Sequence, residues 1–308
     1  MNQPLLDHAT QTMAVGSKSF DTAAKLFDAR TRRSALMLYA WCRHCDDVID
    51  DQTLGFNAMV DSPTSAQQRL ATLQEQTQQA YAGEPMQTPA FAAFQEVALE
   101  HSIPPKRAFE HLEGFAMDVR EERYITFDDT LRYCYHVAGV VGLMMAQVMG
   151  VRDDAVLDRA CDLGLAFQLT NIARDIVEDA RVGRCYLPES WLIEEGLSPT
   201  ALADPAYRPQ VARLANRLVE EAEPYYTSAT AGLAGLPLRS AWAIATAHGV
   251  YRKIGLKVQR AGENAWDKRQ GTSTYEKVAL LIKGATQALS SRVVTPAPRP
   301  SGLWQRPD

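Results

Sequence analysis

Apolar positions in this chain recur at three- and four-residue spacing over long stretches. No run alternates at period two between Gly and Asn turns, so the pattern predicts helices and gives little case for a sheet. Thr31 can cap a helix running to about Asp51, with loop signals following at Leu54-Gly55 and Ser62-Pro63-Thr64. A polar, glutamine-rich helix covers about Ser65 to Tyr81 and breaks at Gly83-Glu84-Pro85. Pro104-Pro105 opens a helix to about Glu122, since proline is tolerated in a first turn. Thr126 or Asp128 starts the next, which ends near Gly150, and Asp153 or Asp154 caps another reaching about Ala180. Gly183 to Pro188 reads as a turn, and Pro199, Pro205 and Pro209 mark an irregular connection. Long helices then cover about Gln210 to Gly232, Pro237 to Val258 and Thr274 to Ser290. There is no obvious internal repeat and no linker of shifted composition. The series therefore predicts one all-α bundle over residues 1–292. Residues 293–308 hold four prolines and few core candidates, and read as a disordered tail.

Composition narrows the class. The chain has 308 residues, 46% hydrophobic and 22% charged, which is globular and leaves ample material for a large core. Its 32 basic and 37 acidic residues give a net charge of −5, without the basic excess of a nucleic-acid binder. Five scattered cysteines are too few for a disulfide scaffold. Cys42-x-x-Cys45 matches a redox or zinc half-site in form. It has no second pair and sits in a helix interior, so both cysteines read as small packing residues. Met1-Asn2-Gln3-Pro4 shows no basic region leading into an apolar stretch, so no secretory signal is expected. The longest apolar stretch, Val137 to Val151, is interrupted by Gln147 and falls short of the ~20 residues a spanning helix needs. A soluble, reduced, cytoplasmic protein is expected, with a loose surface contact to membrane left open.

Two acidic clusters carry the chemistry. The first is Asp46-Asp47-Val48-Ile49-Asp50-Asp51, preceded by Tyr39 and Arg43. Leu36, Met37, Leu38, Ala40 and Trp41 make its helix apolar nearly all round, which implies burial. Tyr39, Arg43, Asp46 or Asp47, and Asp50 then form one polar stripe. The second cluster places Gln168, Asn171, Asp175 and Asp179 at helical spacing, with Arg174 beside Asp175 and Arg181, Arg184 and Tyr186 following. Carboxylates four residues apart share a helix face, roughly 6 Å apart, and repel. Such a buried stripe needs a water-filled cavity or a cation. Amide and carboxylate oxygens are hard ligands suited to Mg²⁺, which takes one or two carboxylates and fills its octahedron with water and phosphate oxygens. Arg174 reads as a grip for a diphosphate, the alternative being a pair with Asp175. The bland reading of each cluster is a solvated acidic helix end, against which the flanking apolar residues argue.

A third piece is Arg132 to Gly142. Gly139 and Gly142 inside a helix cost about 1 kcal/mol each relative to Ala. They permit close approach of another backbone or of a ligand. His136 reads as a packing residue rather than a catalyst and His248 is uninformative, while Tyr251-Arg252-Lys253 adds a tyrosine and two cations that a surface face explains just as well. No glycine-rich nucleotide fingerprint and no P-loop lysine is present, so neither bound NAD(P)H nor hydrolysed ATP is expected.

Tyr39 through Asp50, Gln168 through Asp179 continuing to Pro188, Ser17-Lys18-Ser19-Phe20 and Tyr133 to Gly142 together resemble the squalene and phytoene synthase family, nearest its bacterial carotenoid-forming members. The match runs from about Ser17 to Lys257. The resemblance implies a single-domain isoprenoid synthase bundle with a central cavity. It also implies a prenyltransferase that condenses two geranylgeranyl diphosphates head to head. By that analogy Asp46, Asp50, Asn171, Asp175 and Asp179 handle Mg²⁺, with Mn²⁺ the open alternative. Ser19, Tyr39, Arg43, Gln168, Arg174 and Tyr251 contact diphosphate or polar substrate groups, while Tyr133, Val137, Gly139 and Gly142 line the cavity near the reacting carbons. NADPH is not expected. Gly16 departs from the pattern, because several relatives carry a His there. Two rivals stand: a synthase using the shorter farnesyl diphosphate, and a non-catalytic helical scaffold. The intact aspartate motifs count against the second.

Overall fold

The computed structural model describes residues 3–50 and 65–307, apart from the side chains of residues 18 and 19. Within them the chain is all-helical, as the periodicity predicts. The order is α1 (Gln3–Gly16), α2 (Lys18–Ala24), α3 (Ala29–Asp50), α4 (Ala66–Ala82), α5 (Pro89–Glu100), α6 (Pro105–Val119) and α7 (Phe127–Cys134). A π-helical turn (Tyr135–Gly139) joins α7 without a break to α8 (Val140–Val148). Then come α9 (Asp154–Arg181), α10 (Glu189–Glu194), α11 (Arg208–Gly232), α12 (Leu238–Ala261) and α13 (Thr274–Ser290). The expected loop signals at Leu54-Gly55 and Ser62-Pro63-Thr64, and Asp51, lie outside the described residues.

Side-chain caps start several of these helices. Ser65 and Gln68 form a reciprocal capping box at α4, and Thr126 and Asp129 do the same at α7. The Asp153 carboxylate accepts from the amides of Ala155 and Val156 at the head of α9. Each pairing satisfies amides a helix start leaves without partners. At α3 the cap is Asp28 rather than Thr31. Its Oδ1 accepts from the Arg30 and Thr31 amides at 3.1 and 3.0 Å, and the Thr31 hydroxyl only donates to it at 2.7 Å. A carboxylate is the stronger acceptor for those amides, and these hydrogen bonds lower its pKa.

The long α9 lies in the middle, packed by α8, α11, α12 and the π turn. Leu165, Ala166, Leu169 and Ala173 on it have no exposed surface. Helices α1, α2, α5 and α10 fall outside the predicted series. Helix α5 begins on Pro89 and buries Phe91, Phe94 and Val97 against α3. No described helix is long and apolar enough to cross a membrane.

The reading of residues 293–308 as a disordered tail is corrected. The segment, described through residue 307, folds back onto α9, with Leu303 buried and Arg299 and Arg306 paired to Asp162 and Asp158. Its prolines shape an extended path, and its arginines anchor it.

Candidate active site

Helix α3 reaches the site buried on most sides. Met37, Leu38, Ala40 and Trp41 are almost fully enclosed, and Trp41 stacks on Phe94 with ring centroids 4.0 Å apart. The remaining stripe is the predicted one. Arg43 spans the next turn, with Nη1 2.9 Å from Asp46 and Nε 3.2 Å from Asp47, so it serves both aspartates. Cys42 and Cys45 are free thiols on this helix, Cys45 buried, as packing residues should be.

Helix α9 supplies the facing wall. Asn171 Nδ2 donates to Gln168 Oε1 at 3.3 Å, while Asn171 Oδ1 is buried with no hydrogen-bond partner. Arg174 forks onto Asp175 at 2.8 and 2.5 Å, so the ion pair is the alternative this structure holds. Arg269, from the stretch before α13, reaches Asp175 at 3.1 Å and Glu178 at 2.5 Å.

The two walls meet at Arg184, in the turn after α9. It forks onto both carboxylate oxygens of Asp50, 134 residues away in sequence, one bond being 3.0 Å. Asp118 of α6 joins them. Its oxygens accept from Tyr133 Oη at 3.2 Å and Tyr186 Oη at 3.1 Å, and the two rings stack at 4.5 Å. Sequence reasoning singled out neither Asp118 nor the meeting at Arg184. The one available signal for Asp118 was a lone carboxylate after the buried run Phe115-Ala116-Met117.

Burial and crowding raise these acids. Desolvation, opposed by Arg43 and reinforced by Asp50 and Asp47, moves Asp46 to about 6. Its side chain still keeps 42% of its surface exposed in the cleft, so solvent tempers that shift. Burial followed by the charge of Asp175 moves Asp179 to about 7. Burial opposed by Arg184 moves Asp118 to about 6.

Beside the acids, a turn earlier on both helices, stands an aromatic wall. Tyr251 stacks on Phe167 at 4.2 Å, and Phe20 lies 5.3 Å from Tyr251, 6.0 Å from Phe167 and 6.3 Å from Tyr39. Phe20 and Phe167 carried no sequence expectation as site residues. A Cβ at Gly16 would collide with Tyr39 Oη, so a His there would displace that hydroxyl. Ser19 lies in α2, but its side chain is outside the described residues.

Gly139 and Gly142 do not face this wall. A Cβ at Gly142 would strike the Ala160 carbonyl of α9, and one at Gly139 would lie 3.1 Å from Cys161 Sγ. Of the two readings open for them, close packing is the one the structure takes. Val137 packs on Gly114 of α6. His136 bonds to the backbone carbonyl of Glu110, as a packing residue does, and His248 bonds likewise to that of Tyr226. A cavity of about 690 Å³ opens elsewhere, between α11, α12, α13 and the C-terminal segment, backed against the site by Tyr226 and His248.

A divalent cation passes a test of fit. Among the described residues no three His, Cys, Asp or Glu side chains gather at one point, since arginines hold the carboxylates in separate pairs. The donor set is nonetheless hard oxygen on two facing helices, and the orphaned Asn171 Oδ1 is a ligand atom with its lone pairs unused.

Two acid-bearing helices and an aromatic cluster come together inside an all-α bundle. Among solved structures, a dehydrosqualene synthase in complex with ligand superposes with a TM-score of 0.82 at 28% identity, covering 94% of this chain and 98% of that one. The Squalene/phytoene synthase family matches residues 13–276. A 15-cis-phytoene synthase from Pantoea ananas is 70% identical over 308 residues, 100% of both chains, and one from a Paracoccus species is 49% identical over 299 residues, 97% of both. The chain belongs to the squalene/phytoene synthase family.

Proposed function

We propose that this chain joins two geranylgeranyl diphosphates head to head, through a cyclopropyl (prephytoene) diphosphate, to phytoene. That is the first committed step of carotenoid biosynthesis, and it releases two diphosphates. The observation that carries the reading is the meeting of both acidic helices at Arg184, in a chain 70% identical to a 15-cis-phytoene synthase. Mg²⁺, or Mn²⁺ in its place, held by Asp46, Asp50, Asn171, Asp175 and Asp179 would supply Lewis-acid neutralisation of the leaving diphosphate.

The chain's own residues do the rest. Arg43, Arg174 and Arg184 can exchange their carboxylate partners for diphosphate oxygens, which a guanidinium fork binds bidentately. Gln168 and Tyr251 orient the substrate beside them, and Ser19 belongs to the same contact set. As the carbon–oxygen bond breaks, the allylic cation faces the rings of Phe20, Tyr39, Phe167 and Tyr251. Their faces attract positive charge and their bulk keeps water away. Loss of a proton completes the central triene, so no hydride donor and no NADPH enters. Burial holds the Tyr133 phenol's pKa well up, so it relays a proton to Asp118 rather than acting as a phenolate. Released diphosphate is the other acceptor for that proton.

The test is incubation with Mg²⁺ and either twenty- or fifteen-carbon diphosphate, with and without NADPH. A forty-carbon triene without NADPH is expected. A thirty-carbon product, or strict dependence on NADPH, overturns the reading in favour of a farnesyl-using synthase, the rival favoured by the fit to a dehydrosqualene synthase.

A further inference from the structure

The C-terminal segment is bound to α9 by charge. Arg159 Nη2 donates to the Ala297 carbonyl at 2.7 Å. Arg299 closes a bidentate pair on Asp162 at 2.9 and 2.7 Å and donates to the Trp304 carbonyl at 2.6 Å. Arg306 reaches Asp158 at 2.6 Å and Asp154 at 2.9 Å. Asp162 has no exposed surface, and its other described partner is the Ser228 hydroxyl. A fully buried carboxylate is tolerated only when paired, and here the cation comes from the last ten residues of the chain.

The segment also touches the reaction's own scaffold. The Trp304 amide donates to Tyr225 Oη at 3.2 Å, and its ring lies 5.4 Å from that of Tyr135. Tyr135 opens the π turn, and its hydroxyl donates to Glu110 at 2.9 Å. The far side of that turn presses on the same stretch of α9 that the segment grips. Gly139 meets Cys161, Gly142 meets the Ala160 carbonyl, and Gly164 meets the Ala138 carbonyl. Two residues before Tyr135 is Tyr133, bonded to Asp118 and stacked on Tyr186 beside Arg184. Trp304 thus touches Tyr135, and Tyr133 lies on the same continuous backbone two residues earlier, so the tail and the site share the α7–π-turn segment.

We propose that residues 297–306 form a strap, with Arg299 and Trp304 as positioning residues for the reaction. The strap holds the Asp158–Asp162 turn of α9 and Tyr135 in register, so that the π turn and Tyr133 keep water from the allylic cation. This rests on the functional reading above. When the strap is loosened, water captures the cation. Its oxygen forms a bond to the allylic carbon and one proton passes to solvent, giving a prenyl alcohol in place of the hydrocarbon.

The experiment measures the molar ratio of prenyl alcohol to forty-carbon hydrocarbon made from geranylgeranyl diphosphate by the full chain and by Trp304→Ala, Trp304→Phe, Arg299→Ala and Arg299→Lys. Unfolded protein makes neither product, so simple loss of folded enzyme leaves the ratio unmoved. Asp175→Asn corrects for background hydrolysis. Trp304→Ala should raise the ratio roughly two- to tenfold, the range expected from losing one aromatic contact, with KM little changed. Trp304→Phe and Arg299→Lys should recover most of it. If Arg299→Ala fails to fold, the Trp304 pair, which leaves every ion pair in place, still decides. An unchanged ratio in folded, active Trp304→Ala overturns the strap alone. A wild-type chain that consumes no geranylgeranyl diphosphate overturns the functional reading and the strap with it.

Discussion

At the scale of single residues, the site is a set of carboxylates kept apart by arginines. Asp175 sits between Arg174 and Arg269, and Asp50 is gripped by Arg184. Asp46→Asn or Asp175→Asn keeps the shape and removes one charge. Turnover should fall by about 10²–10³-fold, as when a preorganised electrostatic partner is lost, with the helical circular dichroism unchanged. Full activity in either variant would refute the assignment. The raised acids also predict a pH response. Asp46, Asp118 and Asp179 sit near 6, 6 and 7 when folded, against an unfolded value near 3.9. Folding therefore takes up protons at these groups. Their contribution disfavours the folded chain above pH 7 and is relieved as pH falls through 7 and 6 toward 4. A divalent cation needs the deprotonated acids, so thermal melts should show Mg²⁺ raising Tm at pH 8 and losing that effect by about pH 5.5. Equal stabilisation at both pH values would be the contrary result. The four motif aspartates were legible because i,i+4 spacing is local. Asp118 and the Arg184–Asp50 pair were not, since nothing local joins residues 134 positions apart.

Among the elements, helix starts with a strong side-chain acceptor were readable from sequence, as Ser65, Thr126 and Asp153 show. The α3 cap was misplaced by three residues because Thr31 and Asp28 are both competent and only geometry chooses. The π turn has no sequence signature of its own. Its consequence is that Gly139 and Gly142 meet α9, while Gly164 of α9 meets Ala138 in return. In both backbone contacts an added methyl strikes a carbonyl that cannot swing aside. Gly142→Ala and Gly164→Ala should each cost about 1–3 kcal/mol, the usual range for overpacking. Gly271→Ala, with nothing within 4 Å of its Cβ, should leave Tm nearly where it was. Differential scanning calorimetry of the three variants checks this, and comparable melts for all three would remove the packing role.

For the whole molecule, the bundle was legible because burying one stripe per helix demands partners on every side, and α9 has them. The docked C-terminal segment was not. Proline content argues for an open chain, whereas Arg299, Arg306 and Leu303 decide its path only once α9 offers Asp162 and Asp158. One stripe among the described residues stays uncovered. On α13 and the turn after it, Tyr275, Val278, Ile282, Leu289 and Val293 are exposed at 89, 51, 65, 59 and 85%, on one helical face beside Lys283, while Arg292 donates to the Ala234 and Leu236 carbonyls. A face of this length, about 25 Å at the α-helical rise, is large for a surface that meets only water. The proposed product is a hydrocarbon without a head group, so its release favours an apolar phase close by. An amphipathic helix with an exposed lysine at its edge matches a bilayer containing anionic lipid. Ile282 and Leu289 point away from the acidic walls, so replacing both with Asp should leave turnover in detergent unchanged. The wild-type chain should sediment with phosphatidylglycerol-containing vesicles, more weakly at high salt, and the double variant should stay in the supernatant. Wild-type chain that remains in the supernatant at low salt, or a shift from dimer to monomer in the variant, would assign the face to a protein partner instead.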